Sequence, residues 1–398
     1  MRRYRALLSI RGARAPLVLS TLGSMPIGMY GFAILLLVHD VTASWAQAGR
    51  VAGAFSFANA VGALLQGRVM DRRGQTAVLR MVAAIHLPAL IGLVVAADRH
   101  ASAWVLAAFA LAGGATLPQL PAAMRSLWNS LTHDPDQRQT AYAMVAIVFE
   151  VAVMTAPALV AVIADVLSPA TAVIAAGSLG VASAAAFTST AASRRWRSDH
   201  QHDTHWLGPL TAPGMRTVFF VVVAFGAGMG IVQVAVPAFA SAHGQASTGG
   251  VLLAALSAGS FAGGLIYGAR TWPGSAPSRL AALLLILGGM LGLLATAENE
   301  LMLAVLLAAT GLLVAPTAVV GSTLLDSVAP QGTVTEAFAA MVMGIVAGNA
   351  LGNAVGGALV DGTSYETAVL IAGATAAAGS ALALARRTTL SEHGPQRL

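Results

Sequence analysis

The chain contains no cysteine and no lysine, and only 10% of its 398 residues are charged. Without cysteine there are no disulfides, no thiolate metal sites and no cysteine nucleophile. Without lysine, all 22 basic residues are arginine; a lysine-free, alanine-rich chain fits a GC-rich bacterial genome. A soluble domain carries about 25% charged residues. At 57% apolar content and a mean hydropathy of +0.76, the chain has more apolar surface than a water-soluble core could hide, so the bilayer is its expected solvent. Familiar catalytic motifs are missing too: there is no Walker loop, no Gly-x-Ser-x-Gly elbow and no His-Glu-x-x-His. ATP hydrolysis and nucleophile chemistry therefore have no visible residues, and neither enzyme activity nor a cofactor is expected. His200, His202 and His205 have a spacing that metals use, but they lie in a hydrophilic stretch, and no metal site is expected.

What is present is a succession of apolar segments, drawn as 16–38, 48–66, 77–97, 101–121, 140–164, 169–190, 214–238, 248–268, 280–297, 301–321, 336–359 and 367–385. Each is about 18–25 residues, enough to cross a ~30 Å hydrocarbon layer at ~1.5 Å rise per residue. Twelve crossings put both termini on one side. With that side cytoplasmic, 20 of the 22 arginines fall on cytoplasmic ends and loops, and only Arg50 and Arg99 fall outside. This is the charge bias that orients membrane helices. It also removes nucleic acid as the partner of the basic charge, which is spread along one membrane face. The N-terminal arginine cluster before an apolar run has the look of a signal peptide, but the run is too long and no small-residue cleavage site precedes the second segment. A retained first helix is expected. All six tryptophans fall in loops or near segment ends, as interfacial aromatics do.

A weak repeat divides the chain. The fourth segment ends Leu117-Pro118…Arg125-Ser126-Leu127-Trp128, and the tenth carries Ala315-Pro316…Thr323-Leu324-Leu325-Asp326. The fifth opens Gln139-Thr140-Ala141-Tyr142-Ala143, and the eleventh Thr335-Glu336-Ala337-Phe338-Ala339. The offset is close to half the chain, which supports two repeated halves. The expected organisation is a six-helix bundle over 1–192, a cytoplasmic central loop over 193–212, and a second six-helix bundle over 213–398.

Between the second and third segments stands a dense charged run, Gly67-Arg68-Val69-Met70-Asp71-Arg72-Arg73-Gly74. Its pattern Gly-x-x-x-Asp-Arg-x-Gly resembles the signature loop of the major facilitator superfamily, with Gly67, Asp71, Arg72 and Gly74 matching and Val69 at the usual leucine position. Gln75 and Thr76 replace the basic pair that usually follows. Gly67 and Gly74 permit a tight turn between helices. Asp71 can face a helix N-terminus, whose unsatisfied N–H groups attract an anion. The resemblance implies that this target is the cytoplasmic start of the eleventh segment, where Thr333-Val334-Thr335-Glu336 reads as a capping box. It also implies a permease of the bacterial efflux type: an all-α integral membrane protein of twelve transmembrane helices in two pseudo-symmetric six-helix bundles, with a central cavity opened alternately to each side. The antiporter signature of such permeases is not kept on the fifth segment. Its positions read Ala143, Ala152, Ala156, Pro157, Val160 and Ala161, so only the proline survives.

Glu150 is the one acidic residue near a segment centre. Counting nine residues from the membrane entry near Ala141 puts it ~13–14 Å deep. An acid at that depth costs about 2.5–3.5 kcal/mol on insertion scales, so it should face a cavity or a partner and exchange protons near neutral pH. It is expected to couple proton entry to transport or to bind substrate. Around it, Met29, Tyr30, Asn59, Phe149, Gln233, Asn349 and Asn353 are the expected cavity residues. Gly344, Gly348, Gly352 and Gly356 form a small-xxx-small stripe on one face of the eleventh segment, suited to close helix packing or to a sliding surface between halves. Arg50 and Asp361, both at outer ends, are candidates for an outer gate; a snorkelling arginine is the simpler reading of Arg50. His86, beside Pro88, suits a hydrogen-bonded packing role.

Mid-depth polar residues are few and apolar and aromatic ones common, so sugars, which need many directional hydrogen bonds, fit poorly. The expected function is proton-coupled export of a small amphipathic or hydrophobic compound, a drug or secondary metabolite. A transporter of a small polar metabolite such as a sugar or amino acid remains the alternative, and a non-transporting sensor or membrane-embedded enzyme is a further one of another class. Expected partners are a small-molecule substrate, protons and the lipid bilayer, with the chain a monomer in the bacterial cytoplasmic membrane.

Overall fold

The structure, a computed structural model, describes residues 7, 10, 12–132, 135–196, 209–270, 272–329 and 334–390; side chains at 129, 135, 136, 138, 139, 142, 143, 146–150, 153, 209, 326 and 334–336 lie outside the description. Twelve long helical stretches follow one another among these residues. They are α1 (Arg14–Thr42), α2 (Trp45–Arg73), α3 (Gln75–Asp98), α4 (Ala103–Trp128), α5 (Pro135–Val166) and α6 (Pro169–Ser189). Then come α7 (Pro213–His243), α8 (Thr248–Gly268), α9 (Ala276–Thr296), α10 (Glu300–Val328), α11 (Val334–Gly362) and α12 (Tyr365–Ala385). Among the described residues, eleven are long and apolar enough to cross a bilayer; the twelfth, α5, is 32 residues long, and its described apolar stretch is Met154–Val166. Helices are the fold of choice here because lipid offers no hydrogen bonds to a free backbone.

Local chemistry sets the ends. Ser168 Oγ accepts from the Thr171 N–H (3.1 Å), Asn299 Oδ1 from Met302 (2.9 Å) and Ser364 Oγ from Thr367 (3.3 Å), each capping the start of the helix that follows. Prolines open α6 and α7, where their missing N–H costs nothing. Two spans are interrupted: α1 at Gly23–Ser24, and α4 between Ala115 and Leu120, where Pro118 and Pro121 follow Thr116.

Contacts divide the chain into two units, Met1–Ala43 with Ala54–His202, and Ser44–Gly53 with Asp203–Leu398. The first ten residues of the Ser44-to-Arg73 stretch therefore group with the second unit. Within the first unit α1 packs on α5 and α6, and α3 on α4 and α6; within the second, α7 packs on α11 and α12, α8 on α10, and α9 on α12. A further pairing joins α2 to α4, where a Cβ on Gly62 would stand 2.4 Å from the Ala115 carbonyl oxygen. The pairings α1–α5, α2–α4 and α3–α6 thus recur as α7–α11, α8–α10 and α9–α12. Large apolar side chains such as Leu65, Met81, Ile85, Leu285, Leu301 and Val305 point outward, as lipid-facing positions do.

The tryptophans depart from expectation. Trp104 and Trp272 are exposed, but Trp45, Trp128 and Trp196 are buried; Trp206 lies outside the described residues. Trp128 and Trp196 close the end of the first unit's core beside Met70, Leu79 and Phe187. Trp196 donates its indole N–H to the Ser126 carbonyl (3.1 Å). These rings are core, not interface anchors.

Candidate functional site

The charged run is helical almost to its end. Helix α2 continues through Gly67 to Arg73, and Gly74 alone makes the turn into α3, at φ +84°. The expectation that Gly67 shares the turn is therefore corrected: it sits in mid-helix, with open space where a Cβ would be. A positive φ is needed only where the chain reverses, and one residue suffices. Met70 is buried in the first unit's core and Val69 packs against it, while Asp71, Arg72 and Arg73 are exposed. The side chains at Gln75 and Thr76, where the family's basic pair is missing, tie α3 to the short helix Ala191–Arg195: Gln75 Nε2 donates to Ser193 Oγ (3.2 Å) and Thr76 Oγ1 to the Ser193 carbonyl (3.1 Å). The expected partner of Asp71, the start of α11 at Thr333, Thr335 and Glu336, falls outside the described residues or side chains.

At the other end of α2, Asp361 at the close of α11 caps the helix start. Its carboxylate accepts the Ser44 hydroxyl (2.7 Å) and the backbone N–H groups of Trp45 (3.0 Å) and Ala46 (2.9 Å). The partner of Asp361 is thus the N-terminus of α2 and not Arg50, whose Nε donates to the Ala46 carbonyl (3.1 Å) one turn back. A helix start offers several converging N–H donors and a positive dipole end, which one mobile guanidinium does not match.

Among the described residues, three clusters of polar side chains stand out within the spans. Tyr30 donates its hydroxyl to His86 Nε2 (2.7 Å), and His86 Nδ1–H donates to the Gly113 carbonyl (2.9 Å). A carbonyl can only accept, so Nδ1 carries the proton and Nε2 is the acceptor. The triad joins α1, α3 and α4, with the Phe55 ring 4.7 Å from Tyr30. Tyr30, Met29 and His86 are fully enclosed.

The second grouping fills the break in α4. Gln66 Nε2 donates to the carbonyls of Ala115 (3.0 Å) and Leu117 (2.9 Å), and Gln119 Nε2 to Asn59 Oδ1 (2.9 Å) and the Leu117 carbonyl (3.0 Å). Carbonyls freed by a broken helix are met by side chains of the neighbouring span, as a non-aqueous site requires. Sequence reasoning found Asn59 but missed Gln66 and Gln119; glutamines in apolar segments beside Pro118 were the available signal.

The third lies on α11. Asn353 Nδ2 donates to Asn349 Oδ1 (3.2 Å), and Asn353 Oδ1 is buried without a partner. Gly344, Gly348, Gly352 and Gly356 all face α7 of the same unit: a Cβ on Gly348 would meet the Val223 oxygen at 2.1 Å, and one on Gly352 the Ala227 oxygen at 2.1 Å. Gly226 and Gly230 of α7 return the contact against Ile345 and Asn349. On a neighbouring face, Gly49 and Gly53 meet the carbonyls of Asn353 and Ala350, and Gly357 meets that of Trp45. Gln233 is partly buried on α7. Pro157 lies inside α5, where Ala152, Ala156, Val160 and Ala161 are buried. Glu150 and Phe149 are on α5, but their side chains lie outside the described residues.

A chain of twelve long helical stretches, eleven of them apolar enough among the described residues to cross a bilayer, with broken spans and interior polar clusters, has the construction of a multi-pass secondary transporter. The sequence agrees: residues 17–294 match the Major Facilitator Superfamily, and the chain belongs to that family, as a transporter and not an enzyme. Among solved structures it is similar to the nucleoside transporter NupG, with a TM-score of 0.73 at 16% identity over 96% of this chain and 99% of that one. It is likewise similar to a mutant form of NupG, with a TM-score of 0.74 at 14% identity over 95% and 100%. At such identity the likeness is one of fold. No curated protein matches the sequence significantly.

Proposed function

We propose that the protein exports a small amphipathic or hydrophobic compound, a drug or secondary metabolite, from a bacterial cell in exchange for protons. The observation that carries the substrate class is how the interior polar groups are spent. Asn59 Oδ1 is taken by Gln119, Asn349 Oδ1 by Asn353, and both ring nitrogens of His86 by Tyr30 and Gly113. A polyhydroxylated substrate would find few directional partners, and each buried hydroxyl left unmet is costly. Export and proton coupling rest on Glu150, midway along α5, and on the arginine distribution that puts both termini in the cytoplasm. The gates in this reading are Gly67, Asp71, Arg72 and Gly74 on the inner side and Asp361, with its hold on Ser44 and the start of α2, on the outer.

The test is flux in sealed proteoliposomes carrying an imposed proton gradient, with lipophilic cations, neutral lipophiles, nucleosides and sugars as substrates. The expected result is gradient-driven movement of a lipophilic compound that Glu150→Gln abolishes without loss of folded protein. Undiminished coupling in that variant removes Glu150 from the role. Transport confined to nucleosides or sugars moves the function to a polar metabolite.

A further inference from the structure

At the end of the second unit that carries Asp361, the chain forms an open cavity of about 500 Å³, within the size range of small-molecule sites. Four aromatic side chains form its wall. The His243 ring stacks on Phe239 at 4.0 Å and 21°, Phe239 meets Tyr365 at 4.9 Å, and Trp45 stands alongside. The rim carries two carboxylates, Glu298 from the α9–α10 turn and Glu366 from the first turn of α12. Among the described residues that line it, none is an arginine.

Two of the wall's side-chain donors are already committed. Tyr365 gives its hydroxyl proton to the Leu294 carbonyl (3.1 Å), and His243 gives Nδ1–H to the Phe239 carbonyl (2.9 Å). Trp45 is held by its backbone N–H on Asp361. What the cavity still offers is mainly ring surface, with the Nε2 edge of His243, the Ser241 hydroxyl and two carboxylates. Aromatic faces attract cations through their quadrupole, most strongly where water is partly excluded, and carboxylates on the rim add charge of the right sign. An anion would meet repulsion from both carboxylates, and a neutral compound would gain nothing from their charge.

We infer that this cavity is a binding site for a small organic ammonium ion, built from Trp45, Phe239, His243 and Tyr365 with Glu298 and Glu366 at its mouth. The site lies in the second unit alone, and it depends neither on Glu150 nor on the direction of transport.

Binding of benzyltrimethylammonium to the purified full-length protein, by calorimetry in low-salt detergent buffer, tests it, with the uncharged isostere neopentylbenzene as the comparison. Saturable binding of the cation is expected, weakened about tenfold in the Glu298→Gln/Glu366→Gln double variant, weakened by salt, and unchanged in Glu150→Gln. Both glutamates are exposed, so the double variant should keep the wild-type unfolding temperature. No saturable binding, equal binding of the neutral isostere, or a cation affinity that falls in Glu150→Gln but not in the double variant would each overturn the assignment. The last result would place the cation at the transport site and leave the exporter reading standing.

Discussion

Replacing Gly348 by alanine isolates the cost of separating two membrane helices that touch backbone to backbone. Its Cβ would stand 2.1 Å from the Val223 carbonyl oxygen and 3.0 Å from the Ala227 nitrogen. Ordinary contact begins near 3.4 Å, so α7 and α11 must part by about 1.3 Å at this point, the difference between those two distances. The flanking contacts at Gly226, Gly230 and Gly352 open with them, which adds lost dispersion to the steric cost. Overpacking of this kind costs about 1–3 kcal/mol. Alanine also raises helix propensity by up to ~1 kcal/mol over glycine, so the single variant alone understates the clash. Gly289 supplies the correction. It is exposed in the interior of α9 with nothing within 4 Å of a Cβ, so Gly289→Ala should gain the propensity and meet no neighbour. The stability difference between Gly348→Ala and Gly289→Ala, measured by denaturation in the same detergent, should be about 1–3 kcal/mol against Gly348→Ala. Equal stability of the two variants would refute the backbone-on-backbone crossing.

Tyr30→Phe removes the donor to His86 Nε2 in a fully enclosed site and should destabilise by about 1–3 kcal/mol; a wild-type unfolding temperature would mean the bond is not made. Asp361→Ala removes the acceptor of three hydrogen bonds at the start of α2, with a cost of about 0.5–2 kcal/mol by comparison with helix caps. Because the chain has no cysteine, Ala46→Cys provides a sole thiol, and its labelling by a membrane-impermeant maleimide should speed up when Asp361→Ala is added; an unchanged rate would argue against the latch. Asp71→Asn should cut transport while leaving membrane insertion intact, and wild-type turnover would reduce the loop to a marker of topology.

Much of the architecture was legible because the bilayer imposes a length on every crossing. Twelve apolar runs, a one-sided arginine distribution and the run from Gly67 to Gly74 were enough for helix number and family. What stayed hidden is what depends on register between distant segments. Asp361 was visible as an outer-end acid, but its choice of Ser44 and the α2 start over Arg50 is set by where α11 ends against α2. No local pattern encodes that meeting. Trp128 and Trp196 misled for a related reason: proximity to a span end says nothing about which side of the helix faces the core. The stripe from Gly344 to Gly356 was legible as a close-packing face, but not which helix it would meet, since a stripe carries no address.

The two ends of α2 are held by different means, and that difference bears on how such a helix could move. At the Gly74 end, Met70 and Val69 are anchored in an apolar core and the charged residues stay exposed. At the Ser44 end, the Asp361 carboxylate accepts three hydrogen bonds, above close glycine contacts at Gly49 and Gly53, and the side chains of Trp45, Ala48, Val51 and Ala52 are buried there. Interdigitated apolar packing resists displacement in every direction, because shifting it opens voids throughout. A carboxylate cap is lost within a small displacement, because hydrogen bonds weaken steeply with distance and angle, while the buried side chains beside it yield later. A transition that loosened the start of α2 from α11 would therefore break the Asp361 hydrogen bonds first, since all three end on one carboxylate and are lost together.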